Sequence, residues 1–131
     1  MRARNVARNL SRYTDPSAPS FVGVRAVPCA DPSRAPRWRA TIRDARLRGG
    51  RAISLGTYSH PRGAAHLYDI ALMALGFDPV NFDRAAYFDY APPQHLEAAW
   101  DDVLWCLAGP SGRLPAFVRT SAYLPITETL Q

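Results

Sequence analysis

Arg37, Arg39, Thr41 and Arg43 alternate along the chain with Trp38, Ala40 and Ile42. In a strand, successive side chains point to opposite faces, so this segment has one cationic face and one apolar face. Guanidinium groups at that spacing suit a polyanion, because arginine fits phosphate oxygens and guanine edges bidentately. Arg48-Gly49-Gly50-Arg51 follows. Paired glycines accept the positive φ of a tight reversal, and residues 52–57 read as a returning strand with Ile53 and Leu55 on its buried side. The expected product is a hairpin with apolar residues behind and arginines in front, narrow enough to enter a DNA major groove.

Composition agrees with that chemistry without proving it. The chain has 131 residues, room for one domain, with sixteen basic residues against eleven acidic ones and a formal charge of +5. Every basic residue is arginine. A general preference for arginine, alanine and proline codons would have the same effect, so the missing lysine carries no functional argument. The distribution of charge carries more. Seven arginines lie between Arg34 and Arg51, and Asp44 is the only acid between Asp31 and Asp69. Such a cluster favours a polyanionic partner; its plainer reading is a solvated strand face. Cys29 and Cys106 stand far apart, outside any metal-ligand spacing, and read as free thiols. No apolar run approaches a membrane span. The first fourteen residues carry four arginines and no acid, compatible with a basic arm on nucleic acid, an organelle transit peptide or a frayed start.

The elements that must position the arginines are legible in outline. Residues 15–20 are a linker by composition, and residues 21–27 a short strand with Val22, Val24 and Ala26 on one parity. Three prolines in residues 28–36 exclude regular structure there. Ser59 and Pro61 mark a helix start, with Ser59 as the cap. Across residues 62–75, Ala64, Tyr68, Ala71, Leu72 and Leu75 form one helical stripe, whose alanines allow close approach to a sheet; Gly76 ends it. Residues 77–82 read as an extended tail, with Phe77, Val80 and Phe82 closing the open edge of the core. Residues 88–93 read as a second linker. Residues 94–107 form a second amphipathic helix, with Leu96, Trp100, Val103, Leu104 and Leu107 inside. Trp100 and Trp105 cannot share that stripe, so one of them is expected at the surface. The last twenty residues show no clear period. The predicted fold class is therefore α+β: a three-stranded antiparallel sheet on one amphipathic helix, with an additional C-terminal helix.

Enzymatic chemistry finds little support. His66 and Asp69 lie at i and i+3 on one helix and can meet, but no further ligand or nucleophile stands at a supporting spacing; an exposed helix pair is the simpler reading. Asp101 with Asp102 reads as a solvated helix face, and Gly49-Gly50 as a turn, not a phosphate cradle. No cofactor, metal or small-molecule substrate is expected, and Trp38 is expected in the core.

Taken in order, Gly23-Val24, the Trp38-to-Asp44 segment, Leu55-Gly56-Thr57-Tyr58, Ala64-Ala65-His66-Leu67-Tyr68-Asp69-Ile70-Ala71, Gly76, Asn81-Phe82 and Tyr87 make residues 21–87 similar to the plant APETALA/ethylene-response-factor DNA-binding domain. The resemblance implies a nuclear transcription factor that places the outer face of its sheet in the major groove of double-stranded DNA, with an organelle as the minor alternative location. Carried over by residue, it places DNA contacts at Gly23, Arg25, Thr41 and Arg43, with Thr57 at a backbone-contacting position. Arg37 and Arg39 share the outer face and are expected phosphate or base partners, and Arg51 is expected to stand in for a third-strand cation. The sequence departs from the family pattern at Val22, Val27, Ala52 and Ser54, where the family carries cations or a contacting aromatic, and its loop at residues 28–36 is longer. The division that follows is a basic arm and linker at 1–20, the DNA-binding domain at 21–87, and a C-terminal helix and tail at 88–131. The alternative is a degenerate member that binds a protein through the 94–107 helix.

Overall fold

The computed structural model describes residues 20–123, apart from Cys29 and Pro32. The basic arm, most of the first linker and the end of the tail lie outside the described residues. Three strands, β1 (Val24–Val27), β2 (Arg37–Ile42) and β3 (Ile53–Tyr58), form one antiparallel sheet in the order β1-β2-β3. Three helices follow: α1 (Pro61–Ala74), α2 (Arg84–Phe88) and α3 (Pro93–Ala108). Helix α1 packs across all three strands, and α3 packs on α1 and β3. The fold is the expected α+β arrangement of a three-stranded sheet on a helix with a further C-terminal helix.

Alternation sorts β2 as its sequence requires. Ala40 and Ile42 are buried and Trp38 packs against the core, while Arg37 and Arg39 are exposed. The Trp38 indole N–H is buried with no hydrogen-bond partner among the described residues, an arrangement that costs on the order of 1–3 kcal/mol. The regular part of the first strand begins at Val24, and Val22 is exposed. Gly23, just before β1, has φ +80°, and a Cβ there would overlap the Tyr68 ring on α1. Glycine is therefore needed both for its backbone angle and for its lack of a side chain.

Helix α1 begins with Pro61 at its first turn and His60, not Ser59, at the N-cap; no side-chain cap bond forms. It ends in a Schellman arrangement: the Gly76 N–H donates to the Met73 carbonyl at 3.1 Å and the Phe77 N–H to the Leu72 carbonyl at 2.9 Å, with Gly76 at φ +96°. The buried side of α1 is wider than one stripe. Ala64, Ala65, Ala71 and Ala74 are buried, but so are Ile70 and Met73. A single sheet would leave that flank open; α3 covers the rest of it.

In α3 the expected stripe is inside: Leu96, Trp100, Val103 and Leu107 are buried and Leu104 is half-buried. Trp100 is 1 % exposed and Trp105 is 83 % exposed, which decides which of the pair faces solvent. The Trp100 indole N–H donates to the Arg119 carbonyl at 2.8 Å, and Val118 and Ala122 join the same core as the sheet. The irregular tail is held to α3 by Glu97, whose carboxylate accepts from Ser121 Oγ and from the Ala122 N–H at 2.9 Å. Two other expectations need correction. Phe77 and Val80 do not close the core; both are more than half exposed, and only Phe82 packs inward. The second linker is shorter than expected at both ends, since α2 ends at Phe88 and α3 begins at Pro93.

Trp100→Ala removes a large buried side chain and a hydrogen bond. It is expected to cost about 3–5 kcal/mol in denaturant unfolding, whereas Trp105→Ala should stay within about 0.5 kcal/mol of the parent.

Candidate nucleic-acid interface

The outer face of the sheet is assembled by strand register. Arg25 in β1 stands directly opposite Arg39 in β2, and Arg39 stands opposite Thr57 in β3. One row across the sheet thus reads Arg25, Arg39, Thr57. Val27 pairs with Arg37, and Thr41 with Ser54, on the same face. Arg25, Arg37 and Arg39 are exposed, and Thr41 and Thr57 are half-buried.

Thr57 reaches that face through an irregularity. Ile53 and Leu55 are buried, so strict alternation would send Thr57 inward with them. Between the Arg39–Thr57 and Thr41–Ser54 pairs, however, the register shifts: β3 places Leu55 and Gly56 against the single residue Ala40 of β2. The extra residue is a β-bulge, with Gly56 at φ +106°. It restarts the alternation one residue late, which turns Thr57 out and sets Tyr58 opposite Trp38. The Tyr58 hydroxyl then donates back to the Leu55 carbonyl at 2.6 Å.

The remaining expected residues are less alike. Arg43 is exposed, one residue beyond the end of β2. Arg37 reaches over β3, its Nη2 donating to the Thr57 carbonyl at 3.2 Å. Arg51 lies in the loop before β3, and its Nε donates to the Arg48 carbonyl at 3.3 Å. Gly23 presents its missing side chain to Tyr68 and so supports the first strand from behind; its carbonyl accepts the Thr41 N–H at 3.0 Å.

Two arginines of the cluster serve the fold. The β2–β3 connection is not the tight glycine reversal expected; it spans residues 43–52 and is anchored by buried Leu47. A turn at Asp44 is followed by a 3-10 turn at Arg48–Gly50, with Arg48, Gly49 and Gly50 all at positive φ. Within it Arg46 pairs with Asp44 at 2.7 Å, donates to the Leu75 carbonyl at the end of α1, and lies 3.8 Å above the Phe117 ring. Those hydrogen bonds hold the Asp44 carboxyl below the usual carboxylate range. Arg48 donates to the Cys106 carbonyl in the last turn of α3 at 2.8 Å and fills the space that a Cβ on Gly109 would need. Each guanidinium sits at the negative end of a helix. Arg25, Arg39 and Arg43, by contrast, form no ion pair among the described residues.

A second polar centre escaped the sequence reading. Asp69 is fully buried rather than an exposed partner of His66. Its carboxylate accepts the backbone N–H groups of Val80, Asn81 and Phe82 at 2.9–3.2 Å and the Tyr87 hydroxyl at 2.6 Å. His66 meets that network through Tyr87, with its Nδ1 3.2 Å from the hydroxyl, and stacks on Phe82 at 4.3 Å. Burial and the hydrogen bond to Asp69 push the Tyr87 hydroxyl far above its ordinary range. Burial, with Arg62 adding to it and Asp69 opposing it, lowers the His66 pKa. The sequence offered one hint: an acid at i+3 from a histidine with a tyrosine further on. Among the described residues, no three His, Cys, Asp or Glu side chains come together as metal ligands, and no helix is long and apolar enough to cross a membrane.

No family model, curated protein or solved structure matches the chain.

Two outcomes are expected. Because like charges directly opposite in a sheet repel, Arg39→Ala should leave the melting temperature unchanged or higher in the absence of a polyanion, while Arg46→Ala should lower it; thermal unfolding at low salt reads both. His66 binds a proton less readily folded than unfolded, so the stability it contributes is present above the unfolded pKa of about 6.5 and is lost as pH falls through its lower folded value. The melting temperature should therefore drop as pH falls below about 6.5, and His66→Phe, which keeps the ring stack, should flatten that drop.

Proposed function

We propose that this chain is a divergent member of the APETALA/ethylene-response-factor type and a sequence-specific double-stranded DNA-binding transcription factor acting in the nucleus. The arginine-bearing face of its three-stranded sheet lies in the major groove. The observation that carries this reading is the juxtaposition of Arg25 and Arg39 across β1 and β2, with no ion pair to either among the described residues. A sheet that sets two arginines directly opposite each other on neighbouring strands gives up stability in the free protein. Phosphates and base edges supply the missing counter-charge and acceptors. Arg37 and Thr57 extend the same face, and Thr41 adds a hydroxyl beside it. The neighbouring Arg46 and Arg48 are occupied by helix ends, so the contact set is smaller than the arginine count suggests. The order of sequence elements shared with the family supports the same geometry, and the departures at Val22, Val27, Ala52 and Ser54 point to a target different from the family's usual one.

A second reading rests on α3. Trp105 stands exposed one turn beyond exposed Asp101 and Asp102, an acidic, aromatic surface unlike the sheet. It suits a protein partner bearing basic residues, and would make the chain a co-regulator.

Duplex binding by fluorescence anisotropy separates the two. On the first reading, log affinity falls linearly with log salt, with a slope of about −3 to −4 for contacts from Arg25, Arg37, Arg39 and Arg43. Arg43→Ala loses about 1–3 kcal/mol of discrimination at one base pair, Arg4→Ala weakens all duplexes alike, and Trp105→Ala changes nothing. Equal affinity of wild type and Arg43→Ala for every duplex, after selection from a random library, would remove the groove-reading role.

A further inference from the structure

We infer that Asn81 is a positioning residue for the DNA-reading face: it holds Arg25 in place by bonding both backbone groups of Val22, in the chain leading into β1. The inference rests on the proposed groove binding and extends it to a residue that touches no DNA.

The argument starts from a weakness. β1 is four residues long and lies at the sheet edge, with β2 as its only strand partner among the described residues. A strand that short is poorly fixed by its ladder alone. Immediately before it the chain turns at Gly23, whose carbonyl accepts the Thr41 N–H and which has no side chain to lock the angle. Something else must hold the entry to the strand.

Asn81 does so from the far side of the sequence. Its Oδ1 accepts the Val22 N–H at 2.7 Å, and its Nδ2 donates to the Val22 carbonyl at 3.0 Å. One side-chain amide thus satisfies both backbone groups of one residue, as a neighbouring strand would. Asparagine is suited to this because it carries a donor and an acceptor on one planar group. The clamp is itself immobilised. The Asn81 N–H is held by both oxygens of Asp69, and the N–H groups on either side, from Val80 and Phe82, bond the same carboxylate. Asp69 is buried in α1 and is braced by Tyr87. A continuous path therefore runs from the interior of α1, through Asp69, the backbone of Asn81 and its side-chain amide, to Val22, and three residues on to Arg25. Arg37, at the far end of β2 opposite Val27, lies off this path.

The distinguishing experiment is a double-mutant cycle on duplex affinity, using the full chain and the duplex selected from a random library. Asn81→Ala should weaken binding by roughly tenfold, the loss expected for two hydrogen bonds that no longer fix a contact. It should erase preference at the base pair whose preference Arg25→Ala also erases. The double variant Asn81→Ala/Arg25→Ala should bind no more weakly than Arg25→Ala, whereas Asn81→Ala and Arg37→Ala, at the far end of β2, should combine additively. Asn81→Asp keeps the acceptor and loses the donor, and should fall between wild type and Asn81→Ala; it also serves if the alanine variant unfolds. Additivity of Asn81→Ala with Arg25→Ala, in a protein that still binds duplex DNA with the expected salt slope, overturns the positioning role and leaves groove binding standing. Absence of any duplex binding by the wild type overturns both.

Discussion

The geometry of this protein turns on one buried carboxylate. Asp69 lies inside α1 with no exposure to solvent, yet four groups bring hydrogens to it: three consecutive backbone amides and a tyrosine hydroxyl. An ionised carboxylate left without such partners in the interior would be strongly destabilising. Here the partners come from the chain leaving α1, so the carboxylate dictates the path of residues 80–82. That path in turn places Phe82 against His66 and Asn81 against the backbone of Val22. The helix thus controls the edge of the sheet through polar contacts as well as through its alanine-lined packing surface.

The arginine cluster divides by the same logic of partners. Arg46 and Arg48 find carbonyls at the ends of α1 and α3. Arg25 and Arg39 stand opposite each other across a strand pair and form no ion pair among the described residues. The first kind of site lowers the energy of the folded chain; the second leaves it higher than it need be. A stretch of seven arginines is therefore not one functional patch, and counting cations in a sequence overstates the surface available to an anion.

Much of the scaffold was legible beforehand because it is written in local periodicity. Alternation at Arg37, Arg39 and Thr41 sorted the faces of β2, and the spacing of Leu96, Trp100, Val103 and Leu107 marked the inner side of α3. What was not legible depends on partners distant in sequence. Asp69 reads as a surface acid on a helix until the chain returns to it. Phe77 and Val80 look like core residues, but the backbone at 80–82 is spent on Asp69 and their side chains are left outside. Thr57 falls on the wrong parity unless the bulge at Gly56 is known. Arg46 and Arg48 look like their neighbours until helix ends appear beside them.

The contact between Arg48 and the last turn of α3 has a consequence for how the molecule can be divided. Although the stretch resembling a DNA-binding module ends near Tyr87, the hairpin connection of that module is fastened to a helix that begins at Pro93. An excised fragment stopping at residue 87 would bare the flank of α1 and release the loop between β2 and β3 from its mooring. The hairpin and the C-terminal helix thus pack as one unit, and exchanging either one would require Arg48 and Gly109 to be replaced as a matched pair.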